Sequence, residues 1–183
     1  MKEESARRRV SLPALATAAA ATMIGVGILT GSDRNAAPLT TAGPGAGGAT
    51  RLSLAPGLSF TDDSSSNFPI RGENLGDGEI ATDRPTAIFF GTSHCWNTNR
   101  EAERFVAVSA KEKEAVRFLV VDLDHPAGEQ KSLVSRFYRG YIPTLAVLDS
   151  SGRVIYNESG ETASRRGDTG KLEEIVRRAA AAP

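Results

Sequence analysis

Phe89 to Thr98 reads FFGTSHCWNT, and the change of character within it decides the fold. It closes an uncharged run, Thr86 to Phe90, of the kind that forms a strand buried on both faces. Past Cys95 the pattern becomes helical. Asn97 to about Ala115 carries Phe105, Val106 and Val108 among Glu101, Glu103, Arg104, Lys111 and Glu112, as a helix with one solvated face would. A strand therefore runs straight into a helix, and the only cysteine of the 183-residue chain stands at the junction.

Working outward, Val116 to Leu123 (VRFLVVDL) is the strongest strand signal in the sequence, and Gly128 to Tyr138 then spaces Leu133, Val134 and Phe137 by three and four, which predicts a second helix. Leu145 to Leu148 and Val154 to Tyr156 are short strands joined by the turn residues Asp149 to Gly152, hence a hairpin. Lys171 to Ala180 predicts a closing helix with Leu172, Ile175 and Val176 inward. A parallel βαβ unit followed by a hairpin and a helix is an α/β sandwich around a mixed sheet.

Upstream the sequence organises differently. Lys2, Arg7, Arg8 and Arg9 precede an uncharged run from Val10 to Gly31. At about 1.5 Å per helical residue that run is just long enough for roughly 30 Å of hydrocarbon. Residues 1–31 thus read as a signal-anchor, with a cleaved signal peptide as the competing reading because Ala, Thr and Gly partition weakly into lipid. Either way the basic flank stays in the cytoplasm and the remainder is exported, to the periplasm or cell surface if anchored and to the medium if cleaved. Residues 32–50, rich in Gly, Ala, Thr and Pro, read as a flexible linker. Residues 51–83 hold scattered apolar positions without a sustained period and read as an irregular extension, with one short strand, packing on the edge of a domain at 84–183.

Composition excludes several functions. Lys plus Arg and Asp plus Glu both total 22, so no basic excess argues for nucleic acid. One cysteine rules out an internal disulfide and any multi-thiolate metal site. His94, Cys95 and His125 lack tight ligand spacing, so neither a metal nor a cofactor is expected.

With its motifs, the order of elements over about the last hundred residues resembles the thioredoxin-like superfamily. FFGTSHCWNT sits where that family has its Cys-x-x-Cys, with Cys95 on the first cysteine position and Thr98 on the second. YIPT, Tyr141 to Thr144, looks like the family's cis-proline loop, and VLDSSGRVIYNESG, Val147 to Gly160, like its hairpin and the glycine after it. The resemblance implies a thioredoxin-like three-layer sandwich, a cis Ile142–Pro143 bond beside Cys95, and a substrate groove at Ile142 and Pro143 rimmed by Trp96 and Tyr141. Tyr141 is bulky where the family often has Gly.

The chemistry departs from the family. A thiolate is the nucleophile of disulfide exchange, and a helix start favours the charged sulfur through its amides and dipole. Cys95 fits that role, but a second thiol to resolve the mixed disulfide is missing, and Thr98 in its place is expected to donate a hydrogen bond to the sulfur. Ile88, Phe89 and Phe90 occupy the strand on which the family's reductases often carry a buried acid. His94, where the family usually has Trp, would as an imidazolium favour the thiolate. The expectation is monothiol exchange through Cys95, tuned by His94 and Thr98, with extracytoplasmic cysteine proteins or low-molecular-weight thiols as partners. The alternatives are a redox-inert binding module using the Pro143 groove, and a peroxidase built on Thr92–Cys95. The latter resembles the Thr-x-x-Cys of peroxiredoxins but has Ile88 where those enzymes have proline.

Overall fold

The computed structural model describes residues 51–72, 75, 79–160 and 168–182. The chain divides into two units, 1–42 and 43–183, and every described residue belongs to the second. The expected membrane run and the whole of the linker lie outside the described residues, among which no helix is long and apolar enough to cross a membrane.

The described elements are β1 (Leu52–Leu54), β2 (Ile70–Gly72), β3 (Thr86–Gly91), α1 (Trp96–Glu112), β4 (Arg117–Asp122), α2 (Lys131–Phe137), β5 (Thr144–Leu148), β6 (Val154–Ser159) and α3 (Thr169–Ala181). The main sheet has the order β4-β3-β5-β6. β3 pairs in parallel with β4, Thr86 opposite Arg117, while β5 runs antiparallel to both β3 and β6. A parallel βαβ half joined to a ββα half through the central pair β3–β5 is the thioredoxin-like α/β arrangement.

β3 is central because all six of its residues are buried. Its alternation divides the core in two. Ala87 and Phe89 point into a cluster with Phe105 and Val108 of α1, Phe118 and Val120 of β4, and Leu172, Ile175 and Val176 of α3. Ile88 and Phe90 point the other way, to Leu133 and Phe137 of α2 with Leu119, Val121, Ala146 and Leu148. The result is three layers, with α1 and α3 on one face and α2 on the other.

Three boundaries differ from the sequence expectation for physical reasons. α1 ends at Glu112 because the chain tightens there, the amides of both Ala115 and Val116 bonding to the Glu112 carbonyl. α2 starts at Lys131 rather than Gly128: buried Gln130 donates through Nε2 to the carbonyl oxygens of Leu75 (2.5 Å) and Val120 (2.8 Å), fixing the preceding turn against the outer strand β4. β6 runs on to Ser159, whose hydroxyl lies 3.1 Å from Thr144 Oγ1.

The extension holds two short strands where the sequence suggests one. β1 and β2 pair antiparallel, Leu52 opposite Gly72, and β1 lies against α1. Leu52 and Ile70 are buried in the α1/α3 core cluster, and Phe68 stacks edge-on against Phe89 at 6.3 Å between ring centroids.

Candidate active site at the β3–α1 junction

β3 ends at Gly91, and residues 92–95 turn the chain into α1. Phe90 pairs with Thr144, the residue after Pro143, and Gly91 with Asp122. The Cys95 turn, the Pro143 turn and the end of β4 therefore lie at the same end of the sheet. The Ile142–Pro143 bond is cis, as expected. Pro143 is buried and its carbonyl accepts from the Gly160 amide at 2.6 Å, while Thr144 Oγ1 donates to the Tyr141 carbonyl at 2.5 Å. Tyr141 itself stands out, 72% exposed, and Ile142 is half-buried.

Cys95 is the N-cap residue of α1, extended in backbone, half-exposed and free. Its amide bonds to the Ser93 carbonyl at 2.9 Å and its carbonyl accepts from Asn99 at 3.0 Å; its sulfur makes no capping bond. Trp96 is half-buried beside it, with the Arg100 guanidinium 5.2 Å from the ring centroid. His94 is exposed. Just beyond β4, Asp124 accepts from both the amide (2.9 Å) and the hydroxyl (2.6 Å) of Ser93. The Ser93 hydroxyl and then its amide hold the Asp124 carboxyl below its ordinary range, and His125 and His94 add to this. Asp124 thus ties the Cys95 turn to the end of β4.

Thr98 corrects the expectation placed on it. Its side chain is fully buried and its hydroxyl has no hydrogen-bond partner, so it donates nothing to Cys95. Its methyl instead packs against Gly91. A side chain at Gly91 would collide with Thr98 Cγ2 and lie 2.8 Å from Phe89 Cε1, which explains a glycine where strand and helix approach this closely.

One participant has no local signature. The Trp96 amide, first in α1, donates to Asp63 Oδ1 at 2.8 Å, 33 residues away in sequence. Buried Asn99 reaches the same segment, donating through Nδ2 to the Ser59 carbonyl (2.7 Å) and to Ser65 Oγ (2.9 Å). The helix start thus receives its anionic cap from the extension and not from a neighbour in sequence. Among the described residues no group of His, Cys, Asp and Glu is placed to hold a metal ion.

No family model and no curated protein matches the sequence. Solved structures do. The thioredoxin Mala s 13 of Malassezia sympodialis is 22% identical, with 55% of this chain and 79% of that one covered at a TM-score of 0.43. A thioredoxin-fold protein of Helicobacter pylori is 16% identical over 61% and 84% of the two chains, at 0.45. A putative thiol:disulfide interchange protein DsbE of Chlorobium tepidum is 18% identical over 62% and 88%, at 0.44. The thioredoxin-like arrangement of this chain rests on its own element order and sheet topology.

Proposed function

We propose that the chain is an exported, membrane-tethered thioredoxin-like protein that performs monothiol disulfide exchange through Cys95 with extracytoplasmic cysteine proteins or small thiols. The observation that carries this reading is a half-exposed cysteine at the N-cap of α1, at the end of the sheet shared with the cis-proline turn, in a chain with no second cysteine. In the first step the Cys95 thiolate attacks one sulfur of a partner disulfide; a Cys95–partner disulfide forms and the other sulfur leaves as thiolate. In the second, an outside thiolate attacks that mixed disulfide, takes the partner sulfur and returns Cys95 as thiolate. No net oxidation of the chain occurs, and Thr98 takes no part in resolution.

The tether rests on the basic flank at Lys2 to Arg9 and the uncharged run Val10 to Gly31. A redox-inert binding module at the Pro143 turn is the second reading, favoured by the Asp63 carboxylate on the first α1 amide, where a thiolate would otherwise draw stabilisation. Substrate trapping separates the two. Non-reducing gels of cells expressing the wild type should show adducts that vanish with reductant and with Cys95→Ser. Identical patterns for wild type and Cys95→Ser would favour the binding module.

A further inference from the structure

Residues 130–148, from the start of α2 to the end of β5, carry Lys131, Arg136 and Arg139 and no carboxylate, a local basic excess in a chain of no net charge. All three cations are exposed, and none forms an ion pair among the described residues. The carboxylates that bond to the Cys95 turn and the start of α1, Asp124 and Asp63, come from beyond β4 and from the extension instead. The basic stretch leads into the cis-proline turn, and Thr144 lies opposite Phe90, so its end shares one end of the sheet with the Cys95 turn.

That end is held firmly. Asn157 of β6 donates through Nδ2 to the Phe137 carbonyl at 3.1 Å, and the Tyr138 ring lies 6.1 Å from that of Phe90. Thr144 Oγ1, itself 3.1 Å from Ser159 Oγ, donates to the Tyr141 carbonyl at 2.5 Å, and the Pro143 carbonyl accepts from the Gly160 amide at 2.6 Å. Between these anchors Gly140 adopts a φ of 83° with no atom within 4 Å of the place a Cβ would take, so the backbone there borders open space and Arg139 and Tyr141 stay outside. A large aromatic side chain kept 72% exposed on a fixed backbone loses little freedom when it is covered, the property of a residue that anchors an interface.

We propose that residues 136–142 dock an acidic polypeptide segment of the partner, with carboxylates on Arg136 and Arg139 and an apolar side chain over Tyr141, so that the partner is a protein and not a small disulfide. An exposed ion pair contributes little by itself, so two arginines would not retain a small anion, whereas a chain that also covers Tyr141 gains apolar burial. The use of this docking edge rests on the exchange chemistry proposed above; its preference for acidic segments does not.

The test is fluorescence anisotropy on the full-length chain with three short labelled peptides, each with a central serine in place of cysteine and flanks of Asp and Leu, Gln and Leu, or Lys and Leu. The acidic peptide should bind at least about tenfold tighter than the other two, and high salt should narrow the gap. Arg136→Gln with Arg139→Gln should abolish the preference and Arg136→Lys with Arg139→Lys should keep it, while Tyr141→Ala should weaken the acidic peptide about five- to thirtyfold. All three side chains are exposed, so these variants keep the fold. Equal affinity for the three peptides, no binding of any, a preference that survives loss of both arginines, or displacement of the acidic peptide by equimolar oxidised glutathione overturns the proposal. Self-association of the chain that is lost in the arginine variant overturns it too, since the edge would then take a second copy. The probes carry no sulfur, so an acidic preference without any glutathione adduct on Cys95 sinks the exchange reading and leaves the docking edge standing, and adducts without the preference do the reverse.

Discussion

The methyl group of Thr98, in the first turn of α1, packs against Gly91 at the end of β3 and fills the space that a side chain there would need. Strand and helix touch at this point with nothing between them, and the Cys95 turn spans the gap. Gly91→Ala is therefore expected to destabilise the fold by about 1–3 kcal/mol through overpacking. Thr98→Ser, which removes the methyl, should recover part of that loss in the double variant. Chemical denaturation of the four proteins in the cycle measures it, and strict additivity would contradict the contact.

Thr98 makes a second prediction through its hydroxyl, which is buried without a partner. Thr98→Val replaces an unsatisfied polar atom with a methyl of similar size, so the fold should be unchanged or more stable, by up to about 1–3 kcal/mol. Cys95 should alkylate at the wild-type rate. A slower thiol in Thr98→Val would mean that the hydroxyl does assist the sulfur.

Asp149 governs the acid side of the stability profile. At the β5–β6 turn its Oδ1 accepts from the amides of Ser151 and Arg153, both at 3.0 Å, and from the Ser151 hydroxyl at 2.6 Å, while Oδ2 accepts from Arg153 Nε at 2.9 Å. The Ser151 hydroxyl first, then the Arg153 and Ser151 groups, lower its pKa to about 2. A carboxyl lowered on folding contributes stability that is fully present above its unfolded value near 4 and lost as pH falls through the folded value near 2. Melting temperatures of wild type and Asp149→Asn should thus differ most above about pH 4 and converge toward pH 2. Parallel curves would exclude Asp149 as the source.

Much of this architecture is legible from local sequence. The uncharged Thr86–Phe90 run gives the central strand because a strand buried on both faces has no polar side to show. The Ile142–Pro143 turn and the Cys95 junction stand out only in combination, through the resemblance of YIPT and FFGTSHCWNT to the thioredoxin-like family's motifs. What escapes local reading is long-range. β1 and β2 are three residues each, too short to establish a period, and become strands only by pairing with each other and packing on the core. Asp63 lies among Ser and Asp residues of a kind that ordinarily cap their own neighbours, and nothing in that run says that the helix it caps begins 33 residues on. Thr98 shows the opposite error: its place one helical turn past Cys95 suggested a polar partner for the sulfur, but the close approach of Gly91 turns its methyl to use and leaves its hydroxyl unpaired.

The central claim, exchange through one sulfur with no internal resolution, is tested most directly by treating the purified chain with oxidised glutathione and following the product by intact-mass spectrometry. The account predicts a single glutathione adduct on Cys95, one equivalent of reduced glutathione released, and an adduct that persists until an outside thiol is added. A wild-type chain that forms no adduct beyond that of Cys95→Ser, at a pH where free cysteine reacts readily, would contradict it.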